Sequence, residues 1–160
     1  MENDVLIVLS SYHHKNTEKI ANVIADMLFA KIIEPQKVDL KEIEKYSLIG
    51  FGSGIYDGHH HNSLLSLVDR LPLTKNKKAF IFSTTGAPRF IVNEDFIKSN
   101  HALIKERLES KGYEIIGEFE CRGWNTNSFL KHLGGLNKTH PNEDDLNNAK
   151  RFAHSLIEKQ

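Results

Sequence analysis

Three short segments of this chain gather the side chains with chemistry to offer. Ser10-Ser11-Tyr12-His13-His14-Lys15-Asn16-Thr17 sets hydroxyls, imidazoles, an ammonium and an amide in front of an amphipathic stretch. Gly52-Ser53-Gly54-Ile55-Tyr56-Asp57-Gly58 and Ser83-Thr84-Thr85-Gly86-Ala87-Pro88-Arg89-Phe90 combine glycine, hydroxyls and an aromatic. A hydroxyl-rich segment that runs into a helix N-terminus offers free backbone N–H groups and the positive dipole end to an anion such as phosphate. Ser11, Tyr12, Asn16 and Thr17 add side-chain donors; taken alone, Asn16 or Thr17 reads equally well as a helix N-cap. Glycines in the other two segments let the backbone approach a flat ligand, and Tyr56 and Phe90 can stack on its faces.

These segments need a frame, and the hydropathy pattern supplies one. Val5-Leu6-Ile7-Val8-Leu9 reads as a strand covered on both faces and Lys78-Ala79-Phe80-Ile81-Phe82 as another apolar strand, with Ser47-Leu48-Ile49-Gly50-Phe51 a further strand between them. Ile32-Ile33 and the residues up to 39, interrupted by Pro35, predict a short edge strand, and residues 113–120 predict a fifth. Between them, Ile20, Ile24, Met27 and Leu28 recur at helical spacing within residues 17–31. Leu64, Leu65, Val68 and Leu71 mark a second helix, and Ile97, Ile104 and Leu108, stopped near Gly112, a third. Pro141-Asn142-Glu143-Asp144-Asp145 opens a last helix with a capping residue and acids in its first turn.

Strand and helix alternating about five times predicts a single α/β domain over residues 1–160, with a parallel sheet and right-handed crossovers. In such a sheet, ligands bind beyond the carboxyl ends of the strands, where strand order reverses. The three segments come after the first, third and fourth strands. Residues 121–140, rich in Gly and Asn, read as one long loop at the same edge.

With Asn16-Thr17 entering a helix through Ala21 and Ile24, the chain resembles the flavodoxin family, from Val5 to the last helix. The resemblance implies a three-layer sandwich: five parallel strands in the order 2-1-3-4-5, with helices on both faces. It implies FMN as cofactor, its phosphate and ribityl chain held by Ser11, Tyr12, His13, His14, Lys15, Asn16 and Thr17. Gly52, Ser53, Gly54, Ile55 and Tyr56 would lie along one side of the flavin ring, and Ser83, Thr84, Thr85 and Gly86 with Phe90 along the other. Tyr12 and Lys15 stand where flavodoxins usually carry a hydroxyl residue and a glycine, and His13-His14 replaces the common threonines. The implied function is electron transfer between redox partner proteins, the chemistry belonging to the flavin and not to an acid, base or nucleophile of the chain. An NAD(P)H-dependent quinone or flavin reductase, or a binding module without flavin, are the alternatives.

Other motifs are weaker. Gly50-Phe51-Gly52-Ser53-Gly54-Ile55 approaches a dinucleotide fingerprint but has Ile55 at the third glycine and no helix entry. No phosphate-binding P-loop motif occurs, and Phe51 spoils a nucleophile elbow around Ser53. Histidines 13, 14, 59, 60 and 61 could meet across neighbouring strand ends, yet lack carboxylate or cysteine at metal-ligand spacing. Trp124 reads either as a ring over the ligand or as an anchor for the long loop. The 21 basic and 21 acidic residues cancel, which argues against nucleic acid and anionic membranes as partners. A single cysteine and an acidic, short-hydrophobic start predict a cytoplasmic protein.

Overall fold

The computed structural model describes residues 4–12, 14–125 and 134–160. Its elements are β1 (Val5–Ser10), α1 (Asn16–Leu28), β2 (Lys31–Ile33), β3 (Leu48–Tyr56), β4 (His59–His60), α2 (Asn62–Arg70), β5 (Lys77–Thr85), α3 (Glu94–Ser110), β6 (Tyr113–Arg122) and α4 (Glu143–Ile157). The sheet runs β2-β1-β3-β5-β6, all parallel. With the two-residue β4 set aside, this is the five-strand order that the sequence predicts. The short strand β4 was not anticipated; it folds back antiparallel on β3, pairing Ile55 with His60 and Tyr56 with His59. Asp57 and Gly58 make the turn with φ of 51° and 81°, the two positive angles that a tight hairpin matching strand twist requires.

Alternation along β1 explains the two-sided core. Val5, Ile7 and Leu9 pack with Ile20, Ile24, Ala149, Ala153 and Leu156 under α1 and α4. Leu6 and Val8 pack with Leu64, Leu67, Val68, Ile104 and Leu108 under α2 and α3. The edge strand β2 is shorter than predicted: Pro35 has no N–H for the ladder and instead starts a turn of 3₁₀-helix, Pro35–Lys37. The last helix begins as expected. Asn142 accepts from the Asp145 N–H at 3.0 Å, and the Asp145 carboxylate accepts from the Asn142 N–H at 2.8 Å, a reciprocal capping box.

Gly50 and Gly52 of β3 lie opposite Phe80 and Phe82 of β5. A Cβ at Gly50 would come 2.2 Å from the Phe80 ring, and one at Gly52 2.1 Å from the Phe82 ring. The glycine-rich run that approached a dinucleotide fingerprint is thus, in its first half, a pair of slots for two aromatic rings. No helix of the described residues is long and apolar enough to cross a membrane.

Candidate functional site

The chain leaves β1 outward to β2 and returns to β3 on the other side, so strand order reverses between β1 and β3. Above their carboxyl ends lies a hollow of about 90 Å³ lined by Tyr12, Asn16, Thr17, Gly54, Ile55, Tyr56, Thr84, Thr85, Gly86, Trp124 and Asn125. A second hollow of about 350 Å³ adjoins it, lined by Tyr12, Tyr56, Asp57, His59, His61 and Asn62. Tyr12 and Tyr56 face both. Residues from all three chemistry-bearing segments therefore meet at one rim.

The segment after β1 enters α1 without a side-chain cap. His14 and Lys15 are both left-handed, with φ of 51° and 53°, and Lys15 is the N-cap. Glycine is the residue that takes this conformation at no steric cost, so a lysine here makes the helix entry sterically less relaxed. Asn16 and Thr17 point elsewhere than to a capping role. Asn16 Nδ2 donates to the Trp124 carbonyl at 2.9 Å, while its Oδ1 is buried with no hydrogen-bond partner among the described residues. The Thr17 and Thr84 hydroxyls meet at 2.8 Å. Ser11 Oγ accepts from the Glu18 N–H at 3.2 Å, which satisfies one free donor of the first helical turn.

Aromatic rings wall the rim. His61 lies between the tyrosines, its centroid 4.9 Å from Tyr12 and 5.3 Å from Tyr56. His61 Nδ1 accepts from the Ser63 N–H at 3.1 Å and caps α2, so in that arrangement the ring proton sits on Nε2. Burial and the neighbouring Tyr12 raise the Tyr56 phenol above its ordinary pKa, which keeps it a neutral hydrogen-bonding group. On the far side His14 stacks on Trp124 at 3.8 Å. Trp124 is held by its own N–H to the His140 carbonyl at 3.0 Å and by Nε1 to the Gly134 carbonyl at 3.2 Å. Asn125 closes the rim: its amide donates to the Gly86 carbonyl at 3.3 Å, and its backbone bridges to Leu136. Nothing in the sequence marked Asn125, because its position depends on how the long loop folds back onto the segment after β5.

Several predicted site residues lie elsewhere. Gly52 and Ser53 are buried within β3, and Ser83 within β5, below the hollow. Ser53 Oγ accepts from the His61 N–H at 2.9 Å and so braces the β4 hairpin. Ser11 and Lys15 line a different hollow, of about 450 Å³, between α1 and β2. Phe90 is 86% exposed and does not line the rim hollow. His13 lies outside the described residues. The three histidines after β3 divide their tasks: His59 Nδ1 bonds the His60 carbonyl, His60 is buried against the Phe82 carbonyl, and His61 caps α2.

Comparison with known proteins agrees with this architecture. An uncharacterized protein of Methanocaldococcus jannaschii is 54% identical over 153 residues, 95% of this chain and 97% of its own length. Among solved structures, oxidised Flavodoxin 2 from Bacillus cereus superposes with a TM-score of 0.71 at 22% identity, covering 98% of this chain and 99% of its own. A Streptococcus pneumonia flavodoxin gives 0.69 at 18% identity, with 98% and 99% covered. The family described as "Flavodoxin domain" matches residues 6–122, from the first strand of the sheet to the last, and on that match the chain belongs to the flavodoxin family.

Proposed function

We propose that this chain is a redox protein that holds FMN without a covalent bond at the rim between β1, β3 and β5, and that it exchanges electrons with partner proteins. The observation that carries the reading is the rim itself. Bare backbone at Gly54 and Gly86 and the rings of Tyr12, Tyr56 and Trp124 surround one hollow at the point of strand reversal. Asn16, one of the lining residues, keeps its Oδ1 as a buried acceptor without a partner among the described residues, the kind of group that a ligand hydroxyl would satisfy. This set fits a flat ring with a hydroxylated, phosphorylated tail. The FMN would bring reversible uptake and release of electrons.

The work of the chain's own residues is binding and tuning. Asn16 would accept from a ribityl hydroxyl, the first turn of α1 would face the phosphate with its N–H groups, and Tyr12, Tyr56 and Trp124 would cover the ring. That the Bacillus cereus relative was caught in an oxidised state speaks for redox activity in that protein, and so for this reading. A cytoplasmic setting suits a chain whose one cysteine, Cys121, is buried and unpaired.

The experiment is direct. Purified protein is titrated with FMN while the emission of Trp124, the chain's one tryptophan, and the flavin absorption are monitored. Saturable quenching with one flavin per chain is the expected result; unchanged emission and unchanged melting temperature would sink the reading. A second reading draws on the neighbouring hollow of about 350 Å³, which has room for a small organic substrate beside Tyr56 and His61. It makes the chain an NAD(P)H-dependent quinone or flavin reductase. Consumption of NADH or NADPH with a quinone by the FMN-loaded protein would favour it over the carrier.

A further inference from the structure

Below the rim, between β4, β5, α3 and β6, lies a buried polar cluster that flavin binding does not use. Ser83 and His101 are 0% exposed, and so is the side chain of Glu120. Ser83 Oγ lies 2.7 Å from His101 Nε2 and 2.6 Å from Glu120 Oε2. The imidazole and that carboxylate oxygen are 3.7 Å apart, too far for a direct hydrogen bond, so the hydroxyl bridges them. Asn100 Nδ2 donates to Glu120 Oε1 at 3.1 Å. On the other side of the ring, Glu118 Oε1 faces His101 Nδ1 at 3.2 Å, and Glu118 Oε2 accepts from Lys105 Nζ at 2.8 Å. Glu118 and Lys105 are partly open to solvent. His60 of β4 completes the wall, its ring 5.1 Å from that of His101 and its Nε2 3.1 Å from the Phe82 carbonyl.

Serine, histidine and carboxylate in this order resemble a hydrolytic triad. Ser83 is sealed inside the sheet, however, where no substrate carbonyl can reach it. The hydrogen count gives a different answer. Ser83 has one proton and two close neighbours that each need either to give or to receive. In one arrangement a charged His101 donates from Nε2 to Ser83, and Ser83 donates to an ionised Glu120. In the other a protonated Glu120 donates from Oε2 to Ser83, and Ser83 donates to a neutral His101. Every group is satisfied in both. Nδ1–H donates to Glu118 throughout, because Lys105 and His101 hold that carboxylate ionised.

We propose that Ser83 relays one shared proton between His101 and Glu120, which makes the cluster an internal proton store. In the transfer the Nε2–H bond breaks as a new O–H bond forms on Ser83, whose own proton passes to Glu120 Oε2. No electron moves, and the net charge of the cluster is unchanged. The surrounding ionisable groups are consistent with this. Hydrogen bonds from His101 and Lys105 lower the Glu118 pKa to about 2, while burial raises that of Glu120. Burial, then the proximity of His101, lowers His60 to about 3, so His60 is a neutral neighbour and not a competitor. Thr84, the next residue on β5, lines the rim hollow, so charge added there would shift the balance between the two arrangements. That last consequence rests on the redox reading; the shared proton does not.

The test uses the protein without cofactor, labelled with ¹⁵N in histidine. His101 Nε2 is expected to resonate between the protonated and unprotonated limits, with Nδ1 protonated throughout. An infrared band of a buried carboxylic acid should accompany it and vanish in Glu120→Gln. Ser83→Ala should drive Nε2 to one limit, and Ser83→Thr should restore the intermediate value. An Nε2 signal at one limit in the wild type, or no acid band dependent on Glu120, would overturn the proposal. If Ser83→Ala fails to fold, the wild-type signals and Ser83→Thr still decide it. In FMN-loaded protein, reduction should shift the Glu120 band. A fixed band with normal flavin bands refutes the coupling, whereas absence of flavin uptake refutes the cofactor reading and leaves the store to the cofactor-free measurement.

Discussion

Thr17 and Thr84, sixty-seven positions apart in the chain, meet hydroxyl to hydroxyl at 2.8 Å and tie the first turn of α1 to the end of β5. Both side chains are buried, so each oxygen depends on the other. Thr84→Val would leave the buried Thr17 hydroxyl without this partner and destabilise the fold by about 1–3 kcal/mol. The double variant with Thr17→Val should recover part of that loss. Urea unfolding of the two single variants and the double gives the comparison; strict additivity would mean that the pair does not interact.

His60 makes stability depend on pH in a definite direction. Burial holds its folded-state pKa at about 3, below the usual 6.5, so the unfolded chain binds the proton more readily. The stabilisation is complete above pH 6.5 and is lost as pH falls from there toward 3, at about 1.4 kcal/mol per unit. Glu120, shifted upward, works in the opposite sense, so the contribution of His60 has to be isolated. His60→Gln keeps a donor for the Phe82 carbonyl but cannot titrate. Between about pH 7 and pH 5 the wild type should lose about 2 kcal/mol more than this variant in urea melts. Equal losses would show that His60 is already charged in the fold.

His61 caps α2 with a ring nitrogen in place of the more usual hydroxyl or carboxylate. His61→Ala should cost about 0.5–2 kcal/mol, and His61→Asn should restore most of it, because an amide oxygen can take the same N–H. Hydrogen exchange at the Ser63 amide is the local readout. Protection that survives in the alanine variant would assign the cap elsewhere.

Gly52→Ala asks for space that the Phe82 ring fills, since a Cβ there would come 2.1 Å from it. Phe82 is fully buried and cannot swing to solvent, so the added methyl overpacks the core at a cost of about 1–3 kcal/mol. Combining the change with Phe82→Leu should cost less than the sum of the two single variants. Thermal melts of the three proteins measure the coupling, and additive losses would contradict the ring-over-glycine contact.

Much of this fold was legible because its signals are local or periodic. Continuous apolar runs gave β1, β3 and β5, since both faces of those strands are covered, and Asn142 announced α4 through its own side chain. The hairpin was missed although Asp57-Gly58 is a strong turn signal, because β4 has only two residues and carries no strand pattern of its own. Glu118 and Glu120 alternate like the solvent face of an edge strand. They are instead covered by α3, whose His101 looks like any polar residue on an amphipathic helix until the helix is set against the sheet. At the rim, Tyr12, Asn16, Thr17, Tyr56 and Thr84 were legible from the residue types at and just beyond the carboxyl end of each strand. Asn125 was not, because its place is set by contacts between two loops thirty-nine positions apart.

The rings seated over Gly50 and Gly52 also constrain how descendants of this chain can change. A side chain gained at either glycine is penalised until the phenylalanine opposite has become smaller, whereas a phenylalanine lost first leaves a gap that a later methyl can fill. Losing a fully buried phenylalanine carries its own cavity cost, so neither partner drifts freely and each glycine is expected to change together with the ring opposite it.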